Sequence, residues 1–218
     1  MAYASRIHGQ WIVDYEERVN PERLRKERLE KLQEQIKDHG LGALLLYDPS
    51  YIRYATGTRH QQLFTTQRFL RYALVFADAD PIIYELVGPD LQYRRISAPW
   101  LVNRIKPAVV WQYAGPATGY QANKWASSIK DTLKQEGVID LPLGVDKLHI
   151  DMLKALQDAK IDFVDGTSAV WDATNIKTRD ELELLKQASA IVDAAFDRAK
   201  ESIKPGIRGY EIAGVIAE

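Results

Sequence analysis

The residues with the most chemistry to offer lie between two apolar runs, Ala43–Tyr47 and Tyr72–Phe76. There Arg53, Arg59, His60, Gln61, Gln62, Arg68 and Arg71 alternate with Tyr51, Tyr54, Phe64 and Phe69. A polar and aromatic loop of that length inside a compact domain is usually functional. His60, beside Arg59, would serve as a proton or substrate contact; the plainer reading is an exposed loop histidine. Arg71 would anchor a carboxylate through two parallel N–H donors, or else pair with a surface acid at a sheet edge. Phe64 would pack on the apolar or cationic part of a ligand, or fill the core. Asp146 has the type of a catalytic acid, and equally that of a cap on the helix that follows.

The elements that must position these groups can be read from period and punctuation. Asn20-Pro21-Glu22 starts a helix with the apolar stripe Leu24, Leu29, Leu32 and Ile36, and Gly40 ends it. The apolar run Ala43–Tyr47 is short enough for a buried strand. A helical turn follows over Ser50–Tyr54, broken by Gly57. Arg71–Phe76 and Ile82–Leu86 flank Ala77-Asp78-Ala79-Asp80-Pro81 as a hairpin. The pattern predicts a short helix over Asp90–Ile96, a strand over Asn103–Val110, and a helix over Tyr120–Glu136. Short strands at Leu143–Val145 and Ile161–Val164 bracket a helix over Asp151–Ala159. Strands alternating with helices predict an α/β fold, a mixed β-sheet covered by helices. Thr178-Arg179-Asp180-Glu181 has the form of a capping box and opens a long amphipathic helix through Phe196.

Composition narrows the function classes. The chain has 218 residues, 46% of them hydrophobic, enough for a sizeable core. A net charge of −1 gives no reason to expect nucleic acid or an anionic membrane. With no cysteine, disulfides, thiol nucleophiles and Cys-based zinc sites are excluded. No apolar run nears the roughly 18 residues of a membrane span, and the first residues lack the pattern of a signal peptide. A cytoplasmic protein is expected.

Several short motifs, in order, resemble the creatinase/prolidase/aminopeptidase P family, the pita-bread metallohydrolases. Asp48-Pro49-Ser50-Tyr51-Ile52-Arg53-Tyr54-Ala55-Thr56-Gly57 is similar to a motif of the family's N-terminal domain. Gly144-Val145-Asp146 matches a strand end, Ile176–Ala188 the entry to the catalytic domain, and Lys204-Pro205-Gly206 a turn beyond it. Arg208 and Gly209 depart from the family's usual Ser/Thr and Glu. The tract around Tyr51–Thr56 and Gln61-Gln62-Leu63 looks closer to a dimethylsulfoniopropionate lyase of this fold than to proline dipeptidases.

The resemblance implies an N-terminal arm over 1–19, a creatinase-like domain over 20–172, and over 173–218 a linker with the first helices of an incomplete catalytic domain. It implies a homodimer. It also implies a small-molecule or dipeptide substrate, and a divalent metal pair (Mn, Co, Zn or Fe) outside this segment, which would itself hold no metal site. Phe69 and Arg71 share the spacing of a Phe and an Arg that reach the partner's active site in creatinase. His60, Phe64, Phe69 and Arg71 are therefore the expected substrate-binding residues, and no catalytic residue is expected here. The whole reads as the substrate-capping and dimerisation part of a metal-dependent hydrolase or related lyase, inactive alone. The alternative is a non-catalytic peptide- or protein-binding module of the same fold.

Overall fold

The computed structural model describes residues 19–59, 70–111 and 114–217. The loop residues His60, Phe64 and Phe69, with Tyr113, lie outside them. Two compact units are present: one comprises Arg25–Ile176, the other the segments before and after it.

The larger unit is a six-stranded sheet between two helical layers. Its strands are β1 (Ala43–Leu46), β2 (Tyr72–Phe76), β3 (Ile82–Glu85), β4 (Ile105–Pro107), β5 (Leu143–Val145) and β6 (Phe163–Asp165). Their order is β4-β3-β2-β1-β5-β6. Only β2 runs against its neighbours, pairing Leu45 with Leu74 on β1 and Ala73 with Ile83 on β3; the other ladders are parallel. The α/β expectation and the β2–β3 hairpin are therefore found.

Helices α1 (Pro21–Asp38), α2 (Pro49–Thr56), α3 (Pro89–Ser97), α4 (Thr118–Gln135), α5 (Ile150–Asp158) and α6 (Thr167–Asn175) fill the connections. The period-2 alternation of the strands divides the core in two. Leu45, Tyr47, Tyr72, Leu74, Tyr84 and Val145 face α4 and α5, meeting Trp125, Ile129, Met152 and Leu156. Leu44, Leu46, Ala73, Val75 and Ile83 face the other way, onto Leu29, Leu32 and Ile36 of α1, Ile52 and Ala55 of α2, and Val170 of α6. Each large aliphatic side chain buried this way contributes about 1.5–3 kcal/mol.

Two local readings change. Residues Pro99–Arg104 form a 3-10 helix, so the strand expected over Asn103–Val110 shrinks to three residues. Pro99 presets the turn, and Ala98, with Leu101 behind it, is buried before the chain can extend. The helix α6 is absent from the sequence reading. Its inner face is Ala169, Val170 and Ala173, too small to make a conspicuous stripe, while its one large residue, Trp171, is 61% exposed.

The smaller unit holds α7 (Arg179–Ser202) and α8 (Gly209–Ala217). The capping box expected at Thr178 is present: Thr178 accepts from the Glu181 amide, and Glu181 accepts from the Thr178 amide at 2.8 Å. Asp180 is fully buried and takes both the Nε and Nη2 donors of Arg23 at 2.7 Å. Hydrogen bonding to Arg23 holds its carboxyl below the usual range.

Candidate functional site

Because β1, β3 and β5 run in one direction and β2 in the other, their chain ends bring distant residues to one edge of the sheet. Asp48 follows β1, Glu85 ends β3, Asp146 follows β5, and Arg71 precedes β2. The edge includes the point between β1 and β5 where the strand order reverses, the usual crevice for ligands in open α/β sheets.

Arg71 is only 3% exposed. Its Nε donates to Glu85 Oε1 at 2.8 Å, and its Nη2 donates to the Thr58 hydroxyl. The same Glu85 oxygen accepts from Arg94 Nε at 2.6 Å, and Arg94 Nη2 donates to the Arg59 carbonyl. The Thr56 hydroxyl donates to the Ile52 carbonyl, so its 2.6 Å contact with Thr58 must be one in which Thr58 donates. A continuous chain thus runs from Arg71 through Thr58 and Thr56 to the backbone of α2. It ties Thr58 and Arg71, the residues on either side of 60–69, to each other. The surface-acid alternative for Arg71 does not hold, because β2 is an interior strand and Glu85 is 4% exposed.

Asp146 does not cap the next helix. That task falls to His149, whose ring nitrogen accepts from the Asp151 amide. Asp146 instead reaches across to β1. Its two oxygens accept from the Tyr47 amide at 2.9 and 3.0 Å, and one accepts from the Asp48 amide at 2.7 Å. Burial raises its pKa to about 6 against the pull of these amides. Asp48 caps α2 through the Ser50 amide and pairs with Lys147. Burial pushes it up too, but Lys147 and the backbone donors more than offset this and keep it low.

At the switch point the Tyr47 and Asp48 amides are thus taken by the Asp146 side chain. Gly144 explains the rest of the Gly-Val-Asp motif. A Cβ there would lie 2.7 Å from Leu44 Cδ2 and 2.8 Å from Leu41 Cδ1, so any side chain would have to displace those buried methyls for β5 to seat against that layer.

Tyr54, Trp111 and Asp172 make structural contacts. The Tyr54 hydroxyl donates to the Ala173 carbonyl at 3.0 Å, and Trp111 is buried against His149. Asp172 pairs with His39 at 2.9 Å. Among the described residues no three His, Asp or Glu side chains come together as a metal ion requires. They do not fit the metal pair. Nor is any helix among them long and apolar enough to cross a membrane. No signal in the sequence marked Thr58, Glu85 or Arg94, whose roles depend on being brought to one edge by separate segments.

This architecture is that of the N-terminal region of Xaa-Pro dipeptidases. The Xaa-Pro dipeptidase from Bacillus anthracis superposes with a TM-score of 0.61 at 19% identity, over 88% of this chain and 47% of that one. Dipeptidase PepE from Mycobacterium ulcerans gives 0.62 at 21% identity, over 89% of this chain and 48% of that one. The Creatinase/Prolidase N-terminal domain profile matches residues 28–173, and the chain belongs to that family. Among curated relatives, dimethylsulfoniopropionate lyase DddP of Roseobacter denitrificans is 26% identical over 197 residues, 84% of this chain. Creatinase of a Bacillus species is 28% identical over 100 residues, 44% of this chain. The chain spans 42% of the length of the former and 24% of the latter.

Proposed function

We propose that this chain is the N-terminal, substrate-capping and dimer-forming part of a metal-dependent pita-bread enzyme, on the lyase side of the family. The carrying observation is the identity to two dimethylsulfoniopropionate lyases across more than four fifths of the chain, whereas the likeness to Xaa-Pro dipeptidases is one of fold. A second observation supports a further segment packing on the smaller unit. Leu182, Leu185, Val192 and Phe196 form an apolar stripe along α7, each about half exposed or more.

In this reading the bond-breaking groups and the divalent metal pair belong to residues outside those described, and the segment alone is inactive. It supplies binding and orientation. His60, Phe64 and Phe69 are its substrate-binding residues, across a two-fold dimer. Arg71 joins them directly only if its pairing with Glu85 opens; as it stands, the geometry supports a part in positioning the loop.

The test is an assay of the full-length parent with and without Mn²⁺, Co²⁺ or Zn²⁺, on dimethylsulfoniopropionate and on Xaa-Pro dipeptides. Turnover of the former supports the lyase reading, and turnover of the dipeptides alone moves the protein to the hydrolase side. Turnover of neither overturns the enzyme reading in favour of a peptide- or protein-binding module. Phe64→Ala in the active parent should raise KM or lower kcat markedly if the loop grips substrate.

A further inference from the structure

Helix α7 has two faces with something to bury, and they point in opposite directions. Leu182, Leu185, Val192 and Phe196 make the exposed apolar stripe. Asp180, Leu184, Gln187 and Ile191 recur at intervals of four and three residues and share the other side of the helix. Asp180 is fully buried although it stands in the first turn. Leu184 and Gln187 are half-buried, and Nε2 of Gln187 is shut off from solvent with no acceptor among the described residues. A buried donor is costly unless a carbonyl or carboxylate meets it. Ile191, next along the same face, is 60% exposed.

The chain reaches this face from its N-terminal side. The Asn20 amide donates to Asp180 Oδ1 at 3.2 Å, and Arg23 closes on the same carboxylate; all three residues belong to the smaller unit. The segment before Asn20 is therefore tethered at the first turn of α7. It carries Trp11, Ile12, Val13 and Tyr15, then the acids Glu16 and Glu17. Leu184 to Ala195 lie about 6–22 Å along α7 from Asp180, at 1.5 Å per residue. Tyr15 to Trp11 stand about 8–14 Å from Asn20 if helical and about 16–30 Å if extended. In either conformation the apolar residues overlap that span.

We propose that residues 11–17 of this chain pack along the Asp180–Ile191 face of α7. Trp11, Ile12, Val13 and Tyr15 then cover Leu184 and Ile191, and an oxygen of the Glu16-Glu17 stretch accepts from Gln187. The start of the chain grips one side of α7, and the stripe on the opposite side stays open to a further segment. The inference holds whatever reaction the parent protein carries out.

The chain has no cysteine, so pairs can be introduced cleanly. In the 218-residue chain Trp11→Cys, Val13→Cys or Tyr15→Cys is combined with Ile191→Cys, or with Ser189→Cys on the opposite side of α7. Each pair is treated with a short bismaleimide at low protein concentration. At least one of the three positions links to position 191 within a single chain, in several-fold higher yield than any links to position 189. With α7 unaltered, the triple variant Trp11→Ala, Val13→Ala, Tyr15→Ala quickens proton exchange of the Gln187 side-chain amide, by roughly tenfold or more. Equal yields at positions 191 and 189, or none at either, overturn the proposal. So do links formed only between two chains, which assign the face to a second copy, and Gln187 exchange that the triple variant leaves unchanged.

Discussion

Glu85 and Asp146 are buried carboxylates at the same edge of the same sheet, held in opposite ways. Glu85 is surrounded by side chains: two guanidinium groups, from Arg71 just before β2 and Arg94 of α3, converge on one of its oxygens. Asp146 is held by backbone, its oxygens filled by the amides of Tyr47 and Asp48. The first arrangement contains more positive than negative charge and depends on every member being present. In the second no arginine stands beside the carboxyl, and burial raises its pKa to about 6 against the pull of the amides and of Lys147. A strand end thus becomes an ion-pair network or a stitch of the main chain according to which segments pass beside it.

Removing the centre of the first network gives the largest expected effect. Glu85→Ala leaves Arg71 and Arg94 buried without their acid and costs about 3–5 kcal/mol, read as a lower urea midpoint. The apolar triple variant Arg71→Met, Glu85→Leu, Arg94→Met recovers most of that loss. An unchanged midpoint in Glu85→Ala would show that the network holds no such charge.

The pH dependence of stability separates the two centres next. The carboxyl of Asp146 has a folded pKa of about 6, above the ordinary 3.8. Between those values the unfolded chain is ionised while the folded one keeps the proton. The contribution of Asp146 is therefore full below pH 3.8 and is lost as pH rises to about 6, a fall of roughly 2–3 kcal/mol. Urea unfolding at stepped pH should show this decline, and Asp146→Asn should abolish it. Asp48, whose pKa is lowered, acts in the opposite sense: its contribution is present above the ordinary value and is lost as pH falls through the folded one.

Asp146→Ala at acid pH should cost less, about 1–3 kcal/mol, for amides at the end of β1 left without their acceptor. Hydrogen exchange should then quicken at Tyr47 and Asp48 before it does elsewhere in β1. The smallest effect concerns the face behind these centres. Tyr47, Tyr72 and Tyr84 are buried in contact with one another, and burial raises the pKa of each. In an alkaline absorbance titration, these three of the eleven tyrosines should ionise only as the domain unfolds.

Much of the fold is legible in local pattern. Pro21 and Gly40 bracket α1, Asp48-Pro49 and Gly57 bracket α2, and Thr178 with Glu181 opens α7. The candidate site is less legible. Arg71 stands out by type, but the acid that claims it lies on the next strand, and Arg94 reaches the same oxygen from α3. Asp146 stands before a helix and resembles its cap, yet its acceptors serve residues 98 and 99 positions earlier.

By itself the sequence determined the alternation of strands and helices and the family to which they belong. Those follow from apolar period, turn residues and capping chemistry, all of which act over a few positions. Only the tertiary structure decided what the charged residues at the strand ends do. Glu85, Arg94 and Thr58 become partners of Arg71, and Asp146 a stitch for β1, because the sheet brings these segments to one edge. Burial there makes an unpaired charge or amide too costly to leave unsatisfied.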